Sequence, residues 1–184
     1  METTTCLYYF SRLLLNAGFV MTESVHVPKE LELLKQLIGE WNVGIALKMT
    51  DGKVVSGCGD MTAVEIPPVG VNSEIETHVE GYEDYYENDL WSFDQLTGKI
   101  HLFGVTSEGD AHDHVGNWKD EKTLELKWRG SFEDQELEEH VTARWVSKDQ
   151  FELKEVSYSL GQQRFAIDYV FKRKEGGALA LPKP

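Results

Sequence analysis

The chain has 184 residues, 41% hydrophobic and 27% charged, enough for one domain with a substantial core and unlike the make-up of a disordered chain. Thirty-two acids against 18 bases leave a net charge of −14, which argues against nucleic acid or an anionic membrane surface as partner, since both reward Lys/Arg patches. No run of 18 apolar residues occurs, so no membrane-spanning helix is expected. The two cysteines, Cys6 and Cys58, have neither metal nor redox spacing, and a reduced cytoplasmic setting is the expectation.

Residues 1–20 carry an apolar stretch (Cys6 to Phe10, then Leu13 to Leu15) broken by Arg12. Glu2 is acidic where an export signal wants a base. Met21 opens a cleaner polar start, so residues 1–20 are expected to lie outside the fold. A single domain then runs over 21–175, and Gly176-Gly177 begins a flexible tail over 176–184. Pro28 to Ile38 predicts a helix: Pro28 suits the first helical position, Lys29 to Gln36 are good helix formers, and Leu31, Leu34 and Ile38 share a face with Leu33 and Leu37 beside it. Gly39 reads as its stop.

Beyond Gly39 the apolar period becomes two. Trp41, Val43, Ile45, Leu47 and Met49 alternate with smaller or polar residues, and Asp51-Gly52 supplies a hairpin turn. The same rhythm predicts strands at 41–49, 53–65, 71–80, 85–94, 99–106, 112–119, 123–131, 137–147, 150–158 and 163–173. Turn signals separate them, among them Pro67 to Gly70, Gln95 to Gly98, Asp120 to Lys122, Ser147 to Asp149 and Leu160 to Gln162. Ten short strands with short connections and no crossover helix imply consecutive antiparallel pairing that closes on itself. The fold class expected is all-β: a ten-stranded up-and-down antiparallel barrel with the short helix capping one end. Inward faces are clearest for Leu124, Leu126 and Trp128, for Val141, Ala143 and Trp145, and for Phe165, Ile167, Tyr169 and Phe171. The fourth and fifth strands carry aromatics or acids on both faces and stay ambiguous.

A short helix, then Gly39-Glu40-Trp41 opening the first strand, then a meander ending in Tyr169-Val-Phe-Lys-Arg-Lys174, resembles the calycin superfamily of lipocalins and fatty-acid-binding proteins, nearest to the bacterial calycin-like barrels. The resemblance covers roughly residues 28–174. It implies a lipocalin-like barrel with a ligand cavity and no particular ligand.

An even strand count places the start of the first strand and the end of the last at one rim. Trp41 and Arg173 should therefore be neighbours there, the guanidinium over the indole, sealing the closed end with the helix. The opposite, open rim carries acidic connections: Asp51-Gly52, Gly81 to Asp84, Ser107 to Ala111 and Phe132 to Glu136.

Near that rim, Asp110, His112 and His114 lie two apart and point the same way, a weak ligand set for a divalent ion, the plain alternative being a hydrated strand end. Tyr82, Tyr85, Tyr86, Trp91 and Phe93 make an aromatic-rich strand suited to a pocket wall or to packing. His101 or His140 would have to face inward to ligate a haem, and the parity of His140 points it to solvent. Glu87 and Asp89 read as a solvated acid pair, and Cys58, between two glycines, as small-residue packing. No nucleophile elbow, phosphate loop, His-Glu-x-x-His or Cys-x-x-Cys occurs, so no catalytic residue is assigned.

The reading is a barrel binding a small, largely apolar molecule, with Tyr86, Trp91, His112, His114, Trp128, Trp145, Tyr169 and Phe171 lining lumen and rim. Three alternatives stand beside it: a small-molecule isomerase or cyclase on the same scaffold, a haem-binding barrel, and an interaction barrel with a filled core, as in a homodimer formed through a strand face.

Overall fold

The computed structural model describes residues 27–132 and 135–175. The expectations for residues 1–20 and for 176–184 lie outside them. Helix α1 (Lys29–Leu34) tightens into a 3-10 turn (Lys35–Leu37) and hands over to ten strands. These are β1 (Gly39–Met49), β2 (Val54–Ile66), β3 (Gly70–Val79), β4 (Tyr85–Asp94), β5 (Lys99–Thr106), β6 (Ala111–Asp120), β7 (Thr123–Phe132), β8 (Gln135–Ser147), β9 (Gln150–Ser159) and β10 (Gln162–Arg173). Each strand pairs antiparallel with its neighbour in the chain, and β1 pairs with β10, so the sheet is a closed barrel with no free edge.

Local chemistry accounts for the turns. The carboxylates of Asp51, Asp94 and Asp120 accept hydrogen bonds from the backbone N–H two residues on, at 2.9, 2.9 and 2.8 Å. Such Asx turns reverse the chain in few residues, which keeps consecutive strands adjacent.

Register follows from the seam. Trp41 stands opposite Arg173 and Met49 opposite Phe165, and the guanidinium carbon lies 4.1 Å from the indole centroid. Arg173 also donates to the carbonyls of Ile38 at 2.6 Å and Gln36 at 3.2 Å, satisfying the end of the helical segment. Gly39 makes this possible. Its φ of +137° suits glycine, and any Cβ there would collide with the Arg173 guanidinium. The expected helix stop is thus the first residue of β1 and the space into which Arg173 folds.

The helical segment plugs the barrel through Leu31, Leu34 and Leu37, all buried, while Ile38 is only half-buried. A 3.6-residue period had put Ile38 on that face; the 3-10 turn has three residues per turn and brings Leu37 into line instead. Trp41 and Trp118 complete the seal, their indole N–H groups donating to Leu37 O at 2.8 Å and Glu30 O at 3.2 Å. Among the described residues no helix is long and apolar enough to cross a membrane.

Candidate functional site

The lumen has two storeys. Toward the plugged end the inward side chains form an aromatic ladder: Trp118 against Trp145 (5.0 Å between centroids), Trp145 on Phe151 (5.4 Å), Phe151 on Phe171 (4.1 Å, nearly parallel) and Trp41 edge-on to Phe151 (5.0 Å). Trp41, Trp145, Phe151 and Phe171 are buried. This is packed core. Trp145 and Phe171, expected at a ligand, are packed into this floor, and the inward residues that keep accessible surface lie in the layer above them.

That upper layer is polar and acidic. In β4, Tyr85, Glu87, Asp89, Trp91 and Phe93 share the inward parity, fixed by Asp89 facing Ser73 across the ladder to β3 and by the burial of both residues. Tyr86 falls on the outer face with 43% exposure, so Tyr85 is the tyrosine that reaches the lumen. Glu87 and Asp89, expected on a solvated face, point to the axis. In β5 the inward set is Ile100, Leu102, Gly104 and Thr106. Gly104 is required here: a Cβ would run into the carboxyls of Glu87 and Asp89, which lie against the β5 backbone. From β6 come His112 and His114, from β7 Trp128, from β8 Glu139, from β9 Glu155 and Ser157, and from β10 Ile167 and Tyr169.

Hydrogen bonds hold this belt in place. Trp91 Nε1 donates to Ser73 Oγ at 2.9 Å, and Ser73 Oγ donates to Asp89 Oδ2 at 3.1 Å. Tyr85 donates to Glu87 Oε2 at 3.1 Å. His114 Nε2 sits 3.2 Å from Glu139 Oε2, while His112 turns to Asp110 at 3.1 Å and packs 4.5 Å from the Trp128 ring. The two imidazoles are 5.8 Å apart and face different carboxylates. Among the described residues no three His, Cys, Asp or Glu side chains gather closely enough to hold a metal ion, the Asp110, His112 and His114 set included. His101 and His140 lie on the outer face beside Asp113 and Glu138, away from any lumenal haem. Cys58 is exposed and points outward, while the flanking Gly57 and Gly59 have the inward parity.

Burial sets the electrostatics. Glu155 is pushed up to about 8, first by desolvation and then by the charges of Glu139 and Glu87. Asp89 is pushed well above the carboxylate range by burial and by its hydrogen-bonded neighbour Glu87. The phenols of Tyr85 and Tyr169 are raised by burial and by the same acids, and both stay neutral. Glu87 on β4 and Glu155 on β9 stand on opposite walls, five strands apart either way round, and still repel. Ser157 Oγ and Trp145 Nε1 are buried with no partner among the described residues, and Asp89 Oδ1 has only the Glu87 carboxyl beside it.

The upper lumen is less tightly closed than the floor. Ile75, Glu87, Leu153, Glu155, Ile167 and Tyr169 point to the axis yet keep accessible surface, unlike the shut floor below. A depression of about 650 Å³ straddles the open rim beside the mouth, between Arg129 to Ser131, Glu136 to Glu138 and Leu160-Gly161. It does not reach the acidic belt.

No family model and no curated protein sequence matches this chain. Solved structures do. The crystal structure of Rv2717c from M. tuberculosis superposes with a TM-score of 0.61 at 15% identity, covering 80% of this chain and 99% of the other. The S-type phycobiliprotein lyase CPES from Guillardia theta gives a TM-score of 0.55 at 9% identity, covering 78% and 92%. The fold is a calycin-like barrel. At these identities the likeness speaks for the calycin-like fold alone, and what this barrel does must be argued from its own lumen.

Sequence parity held the means to find two of the missed acids. Glu139 lies two residues before Val141 and Glu155 two after Leu153, each continuing an apolar inward series. The signal was masked because a carboxylate at an inward position reads by default as an outward one.

Proposed function

We propose that the barrel binds a small, largely apolar molecule in its upper lumen, entering through the open rim. The apolar body would lie against Ile75, Leu153, Ile167 and Tyr169, and its polar end would meet the His112, His114 and carboxyl belt. Supporting this reading above all is the contrast between a floor packed shut and a middle layer of inward side chains that stay accessible. One protein of the same fold is a phycobiliprotein lyase, so the scaffold serves chemistry as well as binding.

The probe for this reading is N-phenyl-1-naphthylamine, a neutral apolar fluorophore, titrated into the full chain. Its emission is expected to rise on binding, and Leu153→Trp, which fills the lumen, is expected to weaken binding by about tenfold or more while the far-UV spectrum is unchanged. A wild-type protein that leaves the probe dark overturns the proposal.

One observation favours a second reading, the isomerase or cyclase. A carboxyl raised to about 8, across the lumen from a carboxyl pair and one strand from the His114–Glu139 contact, has the range a general acid or base needs near neutrality. Mass spectrometry of the bound molecule before and after incubation separates the two: a binder returns it unchanged.

A further inference from the structure

Four carboxyl groups, Glu87, Asp89, Glu139 and Glu155, face one lumen, and among the described residues no lysine occupies an inward strand position to balance them; the one inward arginine among them, Arg173, is spent at the closed end. Such a belt is costly unless something positive enters it. From these observations and the lumen-binding reading on which they rest, we infer that the polar end of the ligand is an organic cation, a protonated amine or amidine, received by Asp89 and Glu87 on one wall and Glu139 and Glu155 on the other.

Three features of the belt point to a ligand, two of them outside the acids. Ser157, 1% exposed and opposite Glu139 in the ladder, carries an Oγ with no partner among the described residues and faces the same axis. Asp89, 2% exposed, has one oxygen fixed by the Trp91–Ser73 relay and the other against the Glu87 carboxyl at Gly104, a carboxyl pair with no cation beside it among the described residues. Trp128 and Tyr169 add half-buried aromatic faces, which attract ammonium groups.

Size selects among cations. No three of these side chains converge on one point among the described residues, so a bare metal ion would find no coordination sphere. A belt spread over β4, β8 and β9 suits a larger, multiply donating head group on an apolar body. In its absence the acids share protons: Asp89 and Glu155 are both raised. The other titratable groups facing them are Tyr85 on β4, His112 and His114 on β6, and Tyr169 on β10. An incoming ammonium lets the acids ionise, so a proton leaves to solvent as the cation binds.

Three nine-carbon probes, n-nonylamine, 1-nonanol and nonanoate, titrated calorimetrically into the full chain at pH 7.5, test this. The amine is expected to bind at least about tenfold more tightly than the alcohol, with nonanoate weakest. Its apparent heat is expected to depend on the ionisation enthalpy of the buffer. The double variant Asp89→Asn, Glu155→Gln is expected to lose the amine preference and keep the alcohol within about twofold, whereas Glu76→Gln on the outer face changes neither. Alcohol binding equal to amine binding overturns the cation and leaves the lumen reading intact. Amine binding indifferent to the double variant assigns it to the acidic surface and overturns the proposal. Failure of all three probes, with N-phenyl-1-naphthylamine also dark, removes both readings.

Discussion

Glu155 carries the sharpest consequence at the level of a single side chain. Its carboxyl ionises in the unfolded chain near 4.5 and in the barrel near 8, so between those values the unfolded state holds fewer protons than the folded one. Stability supplied by the protonated form is complete below pH 4.5 and drains away as pH rises toward 8. Glu155→Gln keeps the shape and removes the titration. It is expected to raise stability at pH 8 by about 1–3 kcal/mol and to flatten part of the wild-type decline, with Asp89 supplying the remainder. Urea melts at pH 5 and pH 8 check this; equal slopes in both proteins would mean that the carboxyl is solvated. Arg173 shows the opposite economy. Its planar fork serves two carbonyls of the helical segment while its face covers Trp41, a combination a lysine cannot reproduce.

Among the elements, the helical plug depends most on its surroundings. Six α-helical residues and a three-residue 3-10 turn are far too short to persist alone. They are held by burying Leu31, Leu34 and Leu37 on the aromatic floor and by the acceptor roles of Leu37 O, Ile38 O and Gln36 O. Leu34→Ala is expected to cost about 2–5 kcal/mol. Because Trp41 lies beneath the plug, its loosening should appear as a red shift in tryptophan emission before global unfolding. A single transition with unshifted emission would show that the barrel closes without the plug. Among the strands, β4 differs from the rest by presenting two carboxyls, Glu87 and Asp89, to the axis beside Tyr85. The tight fit at Gly104 in β5 is what gives those carboxyls room.

For the molecule as a whole, charge matters twice. A net charge of −14 on a compact body repels itself, and the lumenal acids repel one another inside it. Salt screens the outer charges and reaches the inner ones far less. Raising ionic strength from 10 to 200 mM is therefore expected to lift the melting temperature by about 1–4 °C, while the pH trend set by the lumen persists. A pH trend that vanishes with salt would place its origin on the surface. Closure of the sheet makes this division possible, since a barrel has an inside into which charge can be sealed and an outside where it is screened.

The linear order of residues determined the strands and their ring. Alternation after Gly39, Asp-based turns and the absence of a crossover connection leave closure as the way to bury one face without an edge, and the Trp41–Arg173 contact follows from counting to ten. The interior was another matter. Parity assigns a side chain to a face, but which aromatics are consumed by packing depends on heights along the barrel. Trp145 and Phe171 are buried in the aromatic floor, whereas Tyr169, one step higher, keeps accessible surface. Only the closed structure brought Glu87 and Asp89 across from Glu139 and Glu155, residues far apart in the chain. The physical reason is that strand period is a local property, while the field inside a barrel sums charges from opposite walls.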